Sequence, residues 1–262
     1  MNSLGENERL DEIGFGGLKL IQDTEGFRYG IDSVLLSDFA AGLAGKGKEL
    51  KAADLGSGNA VIPLIMQHKC ARLSKIYAIE KQERGHELAL RNVELNGLGE
   101  KIIPLCRDVK DIDCILRSGE EGMSLGGSLD MVVSNPPYFE GGRGIKNAQS
   151  SKLAARQETT AGLSDFTALA SRLLKKGGGF FLILNASRLA DALSSARECG
   201  LEPRHLRMVA SRRGEAPKLF LMHAVKDGGK ELRLLPELII YEGKRSYTEE
   251  ILKIYEKSQK LA

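Results

Sequence analysis

The chain has 262 residues, 42% of them hydrophobic, enough to bury a full core in one large domain. Its formal net charge of +3 permits a nucleic-acid partner without requiring one. No apolar run approaches the roughly 20 residues of a membrane helix, Met1 to Glu12 is polar and acidic rather than a signal peptide, and the four cysteines and four histidines show neither C-x-x-C nor H-E-x-x-H spacing, so a cytoplasmic protein with free thiols, no metal site and no membrane association is expected.

The first chemical punctuation comes at residues 52–60, Ala-Ala-Asp-Leu-Gly-Ser-Gly-Asn-Ala. A short apolar strand enters, Asp54-x-Gly56-x-Gly58 follows, and Val61 to Met66 reads as a helix start with Pro63 in its first turn, where proline is tolerated. The glycines let the backbone turn tightly and let a ligand approach. A dinucleotide loop would read G-x-G-x-x-G with its last glycine at position 61, where Val61 stands, which argues against NAD. Ile76 to Glu80 is a β-rich run ending in an acid. A helix is predicted over about 83–96, with Leu88, Ala89, Val93 and Leu95 apolar and Asn96-Gly97 as its C-cap. A third strand, Ile102 to Cys106, leads into Arg107-Asp108-Val109.

Leu129 to Val133 reads as a buried strand of a parallel sheet, and it runs into Ser134-Asn135-Pro136-Pro137-Tyr138. Two prolines cannot extend an interior strand or a helix. In α/β sheets ligands bind beyond the carboxyl ends of strands, so the tetrapeptide from Asn135 to Tyr138 falls where chemistry is expected. The Asn135 side-chain oxygen and the Pro136 carbonyl can both accept hydrogen bonds from an –NH2 group. The Tyr138 ring offers a stacking face. A structural proline turn with a capping Asn is the alternative reading.

Residues 139–160 are polar and Gly-rich, and they contain Arg143, Lys146, Lys152 and Arg156. A long loop inside a compact domain points to function, so a substrate-engaging lid is expected, with these four as substrate-binding residues. A helix with Ser164 as N-cap follows, closed by Lys175-Lys176-Gly177-Gly178-Gly179. Then come a strand, Phe180 to Leu184, a helix, Arg188 to Cys199, and an antiparallel pair, Arg204 to Ala210 and Lys218 to Val225. A last helix is predicted from Thr248 to about Ser258, with Ile251, Ile254 and Tyr255 on one face. Arg204, Arg207, Arg212 and Arg213, near the last strands, are further basic candidates.

Asn135-Pro136-Pro137-Tyr138 resembles the [N/D/S]-P-P-[Y/F/W] motif of amino methyltransferases, which alkylate planar –NH2 groups with S-adenosylmethionine (SAM). Asp54-x-Gly56-x-Gly58 resembles the SAM-binding loop of class I methyltransferases, departing from it at Ala60, the place of the third glycine. The resemblance implies an α/β, Rossmann-like fold: a seven-stranded, mostly parallel sheet with an antiparallel terminal strand and helices on both faces. It implies that Asp54 contacts the methionine end of SAM, Glu80 the ribose hydroxyls and Asp108 the adenine amine. It also carries Tyr29, Asp32, Gly56, Gly58, Asn59, Gln82, Val109 and Asn135 into the cofactor-binding set, and Asn135, Pro136, Pro137 and Tyr138 into the catalytic set.

Four further stretches narrow the resemblance: Glu8-Arg9-Leu10-Asp11, the segment from Phe27 to Leu36, Ala155-Arg156-Gln157-Glu158, and the tail from Leu234 to Tyr241 with Tyr247-Thr248-Glu249-Glu250. Together they are similar to the bacterial tRNA1(Val) adenine N6-methyltransferase family over essentially the whole chain. That implies a single domain, 1–262, in which 1–45 is a cofactor-lid segment and 46–262 the catalytic core. It implies methyl transfer to N6 of the tRNA adenine 3′ of the anticodon, by a monomer or weak dimer. The same tetrapeptide also serves methylation of rRNA guanine N2, DNA adenine N6 and protein glutamine N5, and these stay open.

Overall fold

The apolar runs of the chain become the strands of one sheet, and the amphipathic segments between them become its covering helices. The computed structural model describes residues 4–25, 29–44, 49–119, 123–136, 161–243 and 246–256. Strands β3 (Leu50–Leu55), β4 (Leu73–Glu80), β5 (Ile102–Cys106), β6 (Leu129–Ser134), β7 (Leu174–Asn185), β8 (Leu201–Ala210) and β9 (Leu219–Lys226) lie in the order β8-β9-β7-β6-β3-β4-β5. All are mutually parallel except β9, which is antiparallel to both its neighbours. The antiparallel strand is thus the last long strand in the sequence but sits inside the sheet, between β7 and β8. Two short strands, β10 (Arg233–Leu234) and β11 (Leu238–Ile239), run parallel to β8 along its outer edge.

Side chains alternate between two cores, as the pleat requires. Phe181 and Ile183 of β7 enter one core, Phe180, Leu182 and Leu184 the other. Helices α1 (Ile31–Leu43), α2 (Val61–Lys69), α3 (Glu83–Leu95) and α7 (Glu249–Ile254) cover the first face. Helices α4 (Ile112–Leu116), α5 (Leu163–Leu173) and α6 (Leu189–Glu198) cover the second.

Several sequence expectations are revised. The N-cap of α5 is Gly162, not Ser164; the Asp165 carboxylate accepts from the Gly162 N–H at 2.8 Å, so the acid supplies the cap from inside the helix. Lys175 to Gly179 do not close that helix. They are already strand, because β7 starts at Leu174 directly after α5. Glycine is required at 179 by packing: a Cβ there would lie 2.8 Å from both the His223 ring and the Phe181 ring. Helix α1 was not foreseen as a helix.

The N-terminal segment also forms a hairpin that the sequence did not announce, β1 (Glu8–Gly14) against β2 (Leu18–Asp23). Its free edge is closed by side chains of α3. Asn92 accepts from the Ile21 N–H at 2.6 Å and donates to the Ile21 carbonyl at 3.0 Å. Asn96 does the same for Lys19, at 3.0 and 2.7 Å. Four residues of helix rise about 6 Å and two residues of strand about 6.8 Å, so two asparagines one turn apart meet alternate residues of one strand edge. The Glu8 carboxylate adds an ionic lock, with Arg84 and Arg91 both at 2.6 Å.

Candidate active site

Parallel pairing aligns the strand ends. Leu55 lies beside Ser134 on one side and Ile79 on the other, and Glu80 lies beside Cys106. One residue on, Gly56 of the glycine loop and Asn135 of the proline motif leave neighbouring strands at the same level. The Ser134 hydroxyl fastens this junction by donating to the Leu55 carbonyl at 2.8 Å.

Asp54 is fully buried, and neither carboxylate oxygen has a hydrogen-bond partner among the described residues. Burial pushes its pKa up to about 7. The Ser57 hydroxyl, close by but outside normal hydrogen-bond geometry, opposes this, and the Glu80 charge adds to it. Such a group is complementary to a cation arriving from outside the fold.

The loop after Asp54 is built from left-handed backbone. Gly56 has φ +76°, Gly58 φ +54° and Ala60 φ +65°. The departure at Ala60 is therefore a non-glycine residue held where glycine is favoured, at a strain of about 1–2 kcal/mol. The Gly56 and Ser57 N–H groups both donate to the Ile79 carbonyl at 2.9 Å, and nothing lies within 4 Å of where a Gly58 Cβ would stand.

Glu80 ends β4 with its carboxylate oriented by two backbone donors, Gly58 N–H at 2.8 Å and Gln82 N–H at 2.7 Å. Each oxygen keeps a second lone pair for a ligand hydroxyl. Two residues not foreseen support this arrangement. Gly85 in the first turn of α3 makes room, since a Cβ there would approach Glu80 Cγ to 3.0 Å. Asn92 donates to the Asn59 carbonyl at 3.0 Å, so the side chain that closes the hairpin edge also anchors the glycine loop. A glycine inside a helix start was the one available signal for the first; Asn92 gave none.

The other predicted positions divide. Asp108 stands past the end of β5. Burial would raise its pKa, but the Lys81 ammonium at 2.7 Å and the Lys110 N–H at 3.1 Å outweigh this and hold it below the usual carboxylate range. Val109 has its side chain in the core, so only its backbone can face a ligand. Asp32 lies in the first turn of α1. Tyr29 is half-buried, its N–H donating to Gln22 at 3.1 Å, and burial followed by the Asp11 charge raises its hydroxyl pKa. Asn135 and the buried Pro136 are in place at the end of β6. Pro137, Tyr138, Arg143, Lys146, Lys152 and Arg156 fall outside the described residues.

The residues present fit SAM. The partnerless Asp54 carboxylate suits the cofactor's ammonium, Glu80 a vicinal diol, and the open space at Gly58 a close-lying chain. The model of the family described as the methyltransferase small domain matches residues 32–196, more than half of the chain. The sequence is 26% identical over 203 residues to the tRNA1(Val) (adenine(37)-N6)-methyltransferase of Bacteroides fragilis strain YCH46, covering 77% of this chain and 79% of that protein. It is 26% identical over 234 residues to the enzyme of that name from Haemophilus influenzae strain 86-028NP, covering 89% and 91%. The fold is similar to that of a predicted O-methyltransferase of Agrobacterium tumefaciens, with TM-score 0.65 and 19% identity over 86% of this chain and 95% of that one. It also resembles M. jannaschii TYW2 in complex with AdoMet, with TM-score 0.54 and 15% identity over 86% and 88%.

Proposed function

The chain belongs to the methyltransferase small domain family and is a SAM-dependent methyltransferase, and on that premise we propose that it methylates N6 of a tRNA adenine, the one directly 3′ of the anticodon. The observation that carries the reading is the strand register that sets the glycine loop beside Asn135. It puts a cofactor site and an amine-accepting motif on adjacent strand ends, and relatives similar over most of the chain are named for this reaction.

When bound, SAM supplies an electrophilic methyl group on a sulfonium centre. Asp54 holds the ammonium of its methionine end, and Glu80, pre-oriented by Gly58 and Gln82, accepts from its ribose. Asp108 would read the adenine amine with the lone pairs that Lys81 and Lys110 leave. On the substrate side, the Asn135 side-chain oxygen and the Pro136 carbonyl accept hydrogen bonds from the target –NH2. The N6 lone pair of adenine is delocalised into the ring; those two acceptors draw the nitrogen toward a tetrahedral geometry and free the lone pair. Positioning then supplies most of the rate, with fixed dipoles supplying the rest. No strong base is needed, since the proton leaves after the methyl group arrives. Turning the base out of its stack costs a few kcal/mol, less in a single-stranded loop, which suits an anticodon loop.

The test is incubation with SAM and unmodified tRNA, followed by mass spectrometry of the nucleosides. N6-methyladenosine is expected, lost when the adenine 3′ of the anticodon is changed to guanine. Methylated guanosine, or a methylated glutamine on added protein, would reassign the substrate and leave the cofactor site standing.

A further inference from the structure

The carboxyl edge of the sheet continues past Asn135. Parallel β8 ends on the same edge, and antiparallel β9 starts there, with Leu219 opposite both Asn185 and Val209. The connection Ser211–Lys218 therefore lies on the edge that holds the candidate active site. Three strand spacings separate β6 from β8, about 14 Å.

This connection is cationic. Arg212, Arg213 and Lys218 face one acid, Glu215, and all four residues are exposed. Arg213 and Lys218 make no side-chain ion pair among the described residues. The neighbouring arginines behave differently. Arg204 is held by Glu231 and the Gly229 carbonyl, and Arg207 by Glu250 and the Pro236 carbonyl. Their side chains are 25% and 17% exposed, against 45% for Arg212. Arg204 and Arg207 are ties within the fold; Arg212 is also anchored but stays more exposed, and no such tie holds Arg213 or Lys218 among the described residues.

Arg212 also caps a ladder of rings. Phe15 stacks near Tyr255 at 6.1 Å between centroids, Tyr255 on Tyr247 at 5.6 Å, and Tyr247 on Tyr241 at 5.3 Å. The Arg212 guanidinium lies over Tyr241 at 5.7 Å. Its Nε donates to the Gly243 carbonyl at 3.2 Å and Nη1 to Glu215 at 3.3 Å, which orient the plane. The Tyr241 N–H donates to the Ser211 carbonyl at 2.9 Å and locks the ring to the same turn. An oriented guanidinium plane beside two exposed cations that have no ion pair among the described residues is the chemistry that holds an unstacked base and its phosphates.

We propose that the turn Arg212–Lys218, with Arg212 backed by Tyr241, binds the single-stranded RNA segment that flanks the target base, with Arg212 stacking on one base and Arg213 and Lys218 contacting phosphates. This rests on the reading of the substrate as tRNA. It gives the RNA a second contact along the sheet edge, about three strands away from the reacting amine.

Binding of a fluorescent anticodon stem-loop to the full-length protein tests it, measured across a salt series, with SAM affinity as the control for folding. Arg213→Ala/Lys218→Ala should weaken RNA binding about tenfold and flatten the log–log salt slope by one to two units. Arg212→Lys keeps the charge but loses the plane; it should retain the slope and still bind roughly fivefold more weakly. SAM affinity should not change in either. An unaltered slope and affinity in the double variant overturn the surface, and wild-type binding by Arg212→Lys overturns the stacking role. If the wild-type protein binds no tRNA while binding SAM, the substrate reading itself fails and the surface falls with it.

Discussion

A carboxyl group sealed from water without a donor favours its neutral form, and Asp54 is such a group, with its pKa pushed up to about 7. In the unfolded chain it ionises near the ordinary 3.8. The folded-state value is the higher one, so the cofactor-free protein loses stability from this group as pH rises from about 4 to 7, by on the order of 1.4 kcal/mol per unit. A ligand ammonium reverses the preference, because it pairs only with the ionised form. SAM affinity should therefore rise with pH up to about 7 and level off above it. Asp54→Asn should remove that pH dependence, weaken SAM binding at least about tenfold, and raise the Tm of the cofactor-free protein at pH 8. Calorimetry and thermal melts at pH 6 and 8 check all three; a steep pH dependence surviving in the Asn variant would count against the assignment. Asn135→Ala separates binding from chemistry. It should cut turnover by a factor of 10² or more, on the scale of other lost dipoles at a reacting centre, with SAM affinity within about twofold. Near-normal turnover would remove Asn135 from the reaction.

The β1–β2 hairpin reaches the glycine loop through one residue of helix α3. Asn92 is fully buried and holds three backbone groups: the Ile21 N–H, the Ile21 carbonyl and the Asn59 carbonyl. Asn92→Leu fills the same space and leaves all three unpaired, at about 1–3 kcal/mol for each group that water cannot reach. A loss of roughly 3 kcal/mol or more in denaturant unfolding is expected, together with weaker SAM binding, because Asn59 belongs to the loop. An equal loss of stability with SAM affinity untouched would show that the hairpin and the loop are not coupled. The outer lock titrates separately. Hydrogen bonds from Arg91 hold the Glu8 carboxyl down to about 2 against its burial, with Gly5 and Arg84 adding to the effect. Its contribution is complete above about pH 4.5 and is lost as pH falls toward 2, so the hairpin should loosen in acid before the sheet does.

For the molecule as a whole, the site lies on the carboxyl edge of the sheet, where the parallel strands β5, β4, β3, β6 and β7 end side by side and β8 ends beyond them. A ligand seated there touches loops from both halves of the sheet and binds the folded state alone. At a hundred times its Kd, SAM should stabilise the protein by about 2.7 kcal/mol, a rise in Tm of roughly 5–10 °C for a chain of this size. NAD at the same concentration should produce no shift, as Val61 in place of a glycine already argued from the sequence.

Much of this edge was legible in advance because it is written in local chemistry. Paired glycines, an acid at the end of an apolar run and two prolines after another each constrain the backbone within a few residues. The bounds of β5, and the start of α2 at Val61, follow from the same local rules. Contacts between distant segments were not legible. Asn96 is the helix C-cap that the sequence suggested, but that its side chain and that of Asn92 also pair with a strand was not legible, because the hairpin that presents an open edge at matching spacing lies some seventy residues away. Lys175 to Gly179 looked like a helix stop; they are strand, because β7 pairs with β6 from Leu174 onward, and the glycine at 179 answers to the His223 and Phe181 rings packed beside it. Arg204, Arg207 and Arg212 are alike in sequence, and each finds an acid and a carbonyl; only the fold leaves Arg212 the more exposed of the three and sets it over the Tyr241 ring. By itself the sequence determined the class of chemistry, because turn geometry and hydrogen-bonding capacity belong to short segments. Which polar groups are satisfied, and which remain open to a ligand, was decided by the tertiary structure, because a hydrogen bond is completed by whatever the fold brings within about 3 Å.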